Sequence, residues 1–122
     1  MKNILCPICG DSMRIVDKAY RCDSRHTYDI SKYNYVNFLP FGKSHGDNKE
    51  MVVSRRDFLE KGYYSPLKNA LEKDICELGE ISSYLDAGCG EGYYTECVVP
   101  NAEAQKSWAI DISKDAIILA YK

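Results

Sequence analysis

Four residues near the start of the chain have the types and spacing of a metal centre. Cys6-Pro7-Ile8-Cys9-Gly10 is followed by Cys22 and His26, giving C-x2-C-x12-C-x3-H. Each pair sits at knuckle spacing, so two ligands and nearby backbone N–H groups can wrap one cation. Gly10 supplies the permissive turn after the second ligand. Three thiolates and an imidazole suit tetrahedral zinc with no open position, which makes the expected site structural. The bland alternative is four buried side chains with no metal. A second stretch, Tyr84-Leu85-Asp86-Ala87-Gly88-Cys89-Gly90-Glu91-Gly92-Tyr93-Tyr94, places glycine at alternate positions. It reads as strand, tight turn and helix start. Gly88, Gly90 and Gly92 leave the main chain bare for a ligand, and free N–H groups at the helix start are expected to face it. Nineteen positions after Gly92, Trp108-Ala109-Ile110-Asp111 reads as a second strand ending in an acid. A carboxylate there can accept both hydroxyls of a ribose. The bland alternative is a glycine-rich surface turn.

The elements that must position these groups fit a chain of 122 residues, a one-domain length by the usual prior. Apolar residues make up 45%, enough to predict a packed core rather than disorder. No run of ~18 apolar residues offers a membrane span, and the first residues carry no apolar run of signal-peptide length. The expected location is cytoplasmic, where six cysteines argue for metal or free thiols rather than disulfides. The net charge of −2 is uneven: residues 1–66 carry +3 and residues 67–122 carry −5. All five arginines (Arg14, Arg21, Arg25, Arg55, Arg56) lie in the first part. A nucleic acid, if one binds, is expected to touch that part; solvated surface charge is the alternative reading.

Between the two metal-ligand pairs, Met13–Val16 and Lys18–Arg21 alternate around Asp17, which predicts a short hairpin. Tyr28, Tyr33, Tyr35 and Phe38 can stack bases but are read mostly as packing for a small ribbon. His45, in a glycine-rich loop, is read as solvated. A helix is expected over Met51–Lys61 with Gly62 as its stop. A second begins at Ser65-Pro66, with Ser65 as cap, and buries Leu67, Ala70, Leu71, Ile75 and Leu78. Gly79 ends it. The first parallel strand is expected near Ser83–Asp86, a short helix over Tyr93–Val99, the second strand over Ser107–Asp111, and a third helix capped by Ser113.

The glycine loop is not a dinucleotide fingerprint, which wants glycine at the position of Tyr93. Its D-x-G-x-G-x-G spacing resembles the first motif of class I S-adenosylmethionine-dependent methyltransferases. Several motifs then run in order: C-P-x-C with Cys22 and His26, Tyr35-Val36-Asn37-Phe38-Leu39-Pro40, Gly46-Asp47-x-x-Glu50-Met51, Arg55-Arg56-x-Phe58-Leu59, Gly62-x-Tyr64-x-Pro66-Leu67 and Asp86 to Thr95. Together they resemble the RlmA family of 23S rRNA guanine-N1 methyltransferases over nearly the whole chain. The resemblance implies an α/β protein: a small zinc ribbon or finger (1–40), a linker loop and helix (41–66), and the N-terminal part of a Rossmann-like class I methyltransferase domain (67–122). It implies zinc on Cys6, Cys9, Cys22 and His26. It implies S-adenosylmethionine at the loop that begins at Asp86 and runs through Gly88, Gly90, Glu91 and Gly92, with Tyr64 as a contacting tyrosine and Asp111 on the ribose. The implied partner is a 23S rRNA hairpin recognised through the zinc domain.

A class I domain has a seven-stranded sheet, of which two strands are expected here, so the chain is read as a fragment whose activity alone is not expected. No catalytic base is assigned. The C-terminal portion is expected to be loose, or to pair with another copy and bury Ile110, Ile112, Ile117 and Leu119. Two competing readings are a non-catalytic zinc-dependent RNA-binding module, which would not need the cofactor, and a small-molecule methyltransferase, which would not need the ribbon.

Overall fold

The computed structural model describes residues 4–39, 46–97 and 107–121. The chain divides into two compact units, Met1–Lys43 and Ser44–Lys122.

The first unit is a three-stranded antiparallel sheet in the order β1 (Met13–Val16), β2 (Ala19–Cys22), β3 (Thr27–Asp29). The hairpin expected around Asp17 is present. Asp17 and Lys18 both have positive φ, 50° and 61°, the pair of left-handed residues whose twist matches the flanking strands. Val16 then faces Ala19 and Met13 faces Cys22. That register places Met13 and Cys22 side by side, where they form a buried cluster with Cys6. Tyr20, Tyr28 and Phe38 pack against it. The Phe38 ring lies 5.8 Å from that of Tyr20 and 5.1 Å from that of Tyr28. Tyr28 and Phe38 are thus packing residues, as the sequence suggested. So few core side chains cannot hold a unit of this size by burial alone.

In the second unit α1 (Lys49–Glu60) starts at Asn48, whose side chain accepts the Met51 N–H at 2.9 Å. It ends before Gly62, which has φ +87°. Val52 and Leu59 are buried. The second helix, α2 (Ser65–Glu77), has Tyr64 at its cap position without a side-chain hydrogen bond, and Ser65 is its first helical residue rather than its cap. Pro66 sits in the first turn, where its missing N–H costs nothing. The stripe expected to be buried is not: no α2 residue is buried, and Leu78 is 74% exposed. Helical periodicity says which face is apolar. It does not say that anything covers that face.

The parallel pair β4 (Tyr84–Ala87) and β5 (Ser107–Ile110) runs in register from Tyr84 opposite Ser107 to Ala87 opposite Ile110. Their connection contains the glycine loop and a 3-10 turn at Thr95–Cys97. The helix expected over Tyr93–Val99 is reduced to that turn among the described residues; Val98 and Val99 lie outside them, as does His45. Leu85 and Ile110 remain more than half exposed, although parallel strands are usually covered on both faces. Finally α3 (Lys114–Tyr121) is capped by Ser113, whose Oγ accepts the Ala116 N–H at 3.2 Å. Among the described residues no helix is long and apolar enough to cross a membrane.

Candidate metal centre and cofactor loop

The two metal-ligand pairs are shaped by matching turns. In the first, the Gly10 N–H donates to the Cys6 carbonyl at 2.8 Å and Gly10 takes φ +78°. In the second, the Arg25 N–H donates to the Cys22 carbonyl at 3.0 Å and Arg25 takes φ +68°. Both turns therefore require a left-handed residue, and only the first has a glycine to supply it. They bring Cys6, Cys9, Cys22 and His26 together, with all four ligand atoms within 4.8 Å of one another.

The closest approaches are 3.4 Å from Cys22 Sγ to His26 Nδ1, 3.5 Å from Cys6 Sγ to the same nitrogen, and 3.7 Å from Cys9 Sγ to Cys22 Sγ. A tetrahedron with zinc–sulfur and zinc–nitrogen bonds of ordinary length has edges of about 3.8 Å between sulfurs and about 3.5 Å between sulfur and nitrogen. These contacts match the edges of a coordination polyhedron better than they match hydrogen bonds. The thiol of Cys6 is lowered to about 7: burial works against its charge, but the N–H groups of Cys9 and Ile8 and the neighbouring Cys9 and Cys22 thiols outweigh it. The thiol of Cys9 moves the other way. The N–H of Asp11 favours its charge, but burial and the adjoining Cys6 and Cys22 oppose it more. Three crowded thiols cannot all ionise without a cation, and a divalent metal supplies that charge.

In the second unit the glycine loop hangs from the end of β4. Gly88, Gly90 and Gly92 have φ of 78°, 57° and 91°. A side chain at Gly88 or Gly90 would meet nothing within 4 Å, so open space lies against the backbone there. At Gly92 it would instead touch Ala120 at 3.5 Å, where α3 packs close.

The loop's N–H groups differ from expectation. Those of Gly88 and Cys89 donate to the Ile110 carbonyl at 2.8 and 3.0 Å. That of Gly90 donates to Asp111 Oδ2 at 3.0 Å, and that of Gly92 to the Cys89 carbonyl at 3.1 Å. These donors serve the fold: three are taken by acceptors at the end of β5, and that of Gly92 closes a turn within the loop.

Asp111 binds backbone with both oxygens: Oδ2 accepts from Gly90, and Oδ1 accepts from the Ser113 N–H at 2.7 Å. Each oxygen keeps a lone pair. Asp86 accepts the Thr95 hydroxyl at 2.7 Å, bracing the loop from the strand side. Glu91 is 7% exposed at its side chain, and its Oε2 lies 3.3 Å from Arg56 Nε on α1. Burial pushes its carboxyl above the usual range, against the pull of Arg56. Tyr64 stands edge-on to Phe58, with ring centroids 5.8 Å apart. Burial first, and then the neighbouring Tyr93 and Tyr64, raise the Tyr94 hydroxyl.

The sequence named Ser113 as a helix cap and Arg56 and Thr95 within motifs, but gave none of the three a contact at the loop. Arg56 shows an i,i+4 partner in Glu60, but nothing local pairs it with Glu91. Ser113 Oγ reaches the Asp47 carbonyl at 2.5 Å, a contact across 66 positions that no spacing rule exposes.

The family of RlmA N-terminal zinc ribbons matches residues 4–46. A 23S rRNA (guanine(748)-N(1))-methyltransferase of Streptomyces fradiae is 30% identical over 96% of this chain and 43% of its own length. Proteins of Bacillus subtilis (strain 168) and Micromonospora griseorubida, both provisionally named 23S rRNA (guanine-N(1)-)-methyltransferase, are 36% and 31% identical over the same share of the chain and 45% and 46% of theirs. The chain thus spans a little under half the length of the curated relatives it matches. Residues 4–46 thus match the RlmA N-terminal zinc ribbon, and 96% of the chain is similar to these 23S rRNA (guanine-N1)-methyltransferases.

Proposed function

We propose that the chain is the zinc-ribbon and cofactor-loop portion of an enzyme that methylates N1 of a guanosine in 23S rRNA, with S-adenosylmethionine as donor. Zinc would sit on Cys6, Cys9, Cys22 and His26, and the ribbon would meet an RNA hairpin. Residues 67–122 would open the methyltransferase domain, with residues 41–66 leading into it.

The observation that carries this reading is the polarity of the glycine loop. Four N–H groups between Gly88 and Gly92 are spent on the protein itself, while Asp86, Glu91 and Asp111 stand around the open backbone. A pyrophosphate needs those N–H groups and would meet carboxylates instead. A ligand with a sulfonium, an ammonium and a ribose meets complementary charge.

S-adenosylmethionine, when bound, supplies a methyl group activated by its sulfonium. Gly88 and Gly90 would let it approach the main chain, and the free lone pairs of Asp111 would accept the ribose hydroxyls. Glu91 would face its cationic end, with Tyr64 alongside. Positioning dominates such a transfer. Guanine N1 lies on the Watson–Crick edge, so the base must be unpaired or flipped out. Its proton must leave, which calls for a base; none of these residues is assigned that role.

The test is calorimetry of the chain with S-adenosylmethionine and with an unmodified 23S rRNA hairpin. The proposal expects both to bind. RNA binding without any cofactor affinity would favour a non-catalytic, zinc-dependent RNA-binding module.

A further inference from the structure

Among the described residues, Glu91 is the one carboxylate at the glycine loop held by a side chain from outside the loop and its two strands. Its partner is Arg56, in the middle of α1, 35 positions earlier. The Arg56 Nε lies 3.3 Å from Glu91 Oε2 and 3.4 Å from Glu60 Oε1, so one donor is shared between two acids. The acids are not equivalent. The Glu60 side chain is 65% exposed and that of Glu91 is 7% exposed. An exposed i,i+4 pair contributes little, whereas a buried carboxylate deprived of its cation must take a proton or move.

We infer that Arg56 is a positioning residue for the cofactor site: it fixes the Glu91 carboxylate, in its ionised form, against the glycine loop. This rests on the cofactor reading given above.

The opposite end of the same segment holds the other half of the loop. Asp47, just before α1, accepts from Ser113, and Ser113 donates its N–H to Asp111, which in turn holds Gly90. Arg55 pairs with the Asp47 carboxylate at 2.7 Å. Residues 46–60 therefore reach two of the three acids around the open backbone, Asp111 through one end and Glu91 through Arg56. Four charged groups face Glu91: Arg56 and Glu60 on α1, Lys68 on α2, and Glu96 in the 3-10 turn. Arg56 and Lys68 favour its ionised form, and Glu60 and Glu96 oppose it. Arg56 is the nearest of these cations, so its loss shifts the balance towards the protonated acid.

The experiment measures S-adenosylmethionine binding to the chain by NMR titration, which reads weak affinities, as a function of pH. The variants are R56Q, R56K, E91Q and the double variant R56Q/E91Q, each checked for parent-like amide dispersion. R56Q should weaken binding about tenfold near neutral pH, as for loss of one partner of a buried charge pair. Affinity should recover as pH rises and Glu91 ionises without help. R56K should restore part of the loss. E91Q should remove this pH dependence, and adding R56Q to it should cost little more.

Parent-like affinity of R56Q at every pH, or full additivity of R56Q and E91Q, overturns the inference while leaving the cofactor reading standing. Absence of binding by the parent chain overturns both. If R56Q does not fold, R56K and E91Q decide: the inference then needs E91Q to lose affinity and R56K to keep most of it.

Discussion

Cys22, like Cys6, lies in the small core and belongs to the metal cluster at once. The purified chain is expected to carry about one zinc, since four ligands close a structural site. Metal binding and folding are coupled in such modules. Cys22→Ala should therefore abolish ordered structure over the first ~35 residues rather than loosen one turn, seen as collapse of their amide dispersion. Elemental analysis giving well under one zinc per chain contradicts this.

Cys89 makes a contrasting prediction. Burial, with Asp86 and Asp111 adding, raises its thiol from 9.0 to about 11. A raised folded-state value means that stability is fully present below about 9 and is lost as pH climbs towards 11. Cys89 should resist alkylation at pH 8 while exposed Cys76 reacts, as mass spectrometry of labelled peptides can read.

The metal ligands were legible because their geometry is local, two ligands per turn. The Arg56–Glu91 and Ser113–Asp47 contacts were not, because they join positions whose separation is fixed only by how the elements pack.

Among the elements, α1 is tied to the glycine loop through Asp47, just before its start, and through Arg56 in its middle, and its entry is closely packed. A side chain at Gly46 would come within 2.8 Å of Ile112 and of the Ser113 backbone nitrogen. Gly46→Ala should cost about 1–3 kcal/mol, the range for forced overpacking. Asn48→Ala, which removes the cap, should cost about 1 kcal/mol. Chemical denaturation checks both, and a Gly46→Ala variant as stable as the parent would show that the 46–48 segment is not held against α3.

Helix ends were readable in the sequence from Gly62, Pro66, Gly79 and Ser113, each for a backbone reason. The burial of α2 was not, because an amphipathic stripe carries no information about its cover. Among the described residues, the helix expected after the glycine loop is reduced to the 3-10 turn at Thr95–Cys97. Tyr93 and Tyr94 instead pack edge to face at 4.9 Å, with the Lys68 ammonium 4.3 Å above the Tyr93 ring.

For the whole molecule, charge divides along the two units. Met1–Lys43 holds seven Lys and Arg against four Asp and Glu, and Ser44–Lys122 holds nine against fourteen. Arg55 and Arg56 belong to the second unit and are paired there with Asp47 and Glu91. RNA contact should therefore rest on Arg14, Arg21 and Arg25 of the ribbon. Arg14 makes only an exposed pair with Asp23, so replacing it costs little stability. Arg14→Gln with Arg25→Gln should weaken binding of the rRNA hairpin and flatten its salt dependence. Unchanged binding at low salt would move the RNA surface elsewhere.

The two-stranded parallel sheet leaves Leu85 and Ile110 open. Cofactor affinity should accordingly be weak, lowered by the small fraction of competent molecules, and the chain alone should make no 1-methylguanosine. The most direct measurement is an amide-resolved NMR titration of the chain with S-adenosylmethionine. Saturable shifts at Gly88, Gly90, Glu91 and Asp111, with the ribbon unmoved, are the predicted result. No shift at millimolar cofactor, or shifts confined to Met1–Lys43, would contradict the account.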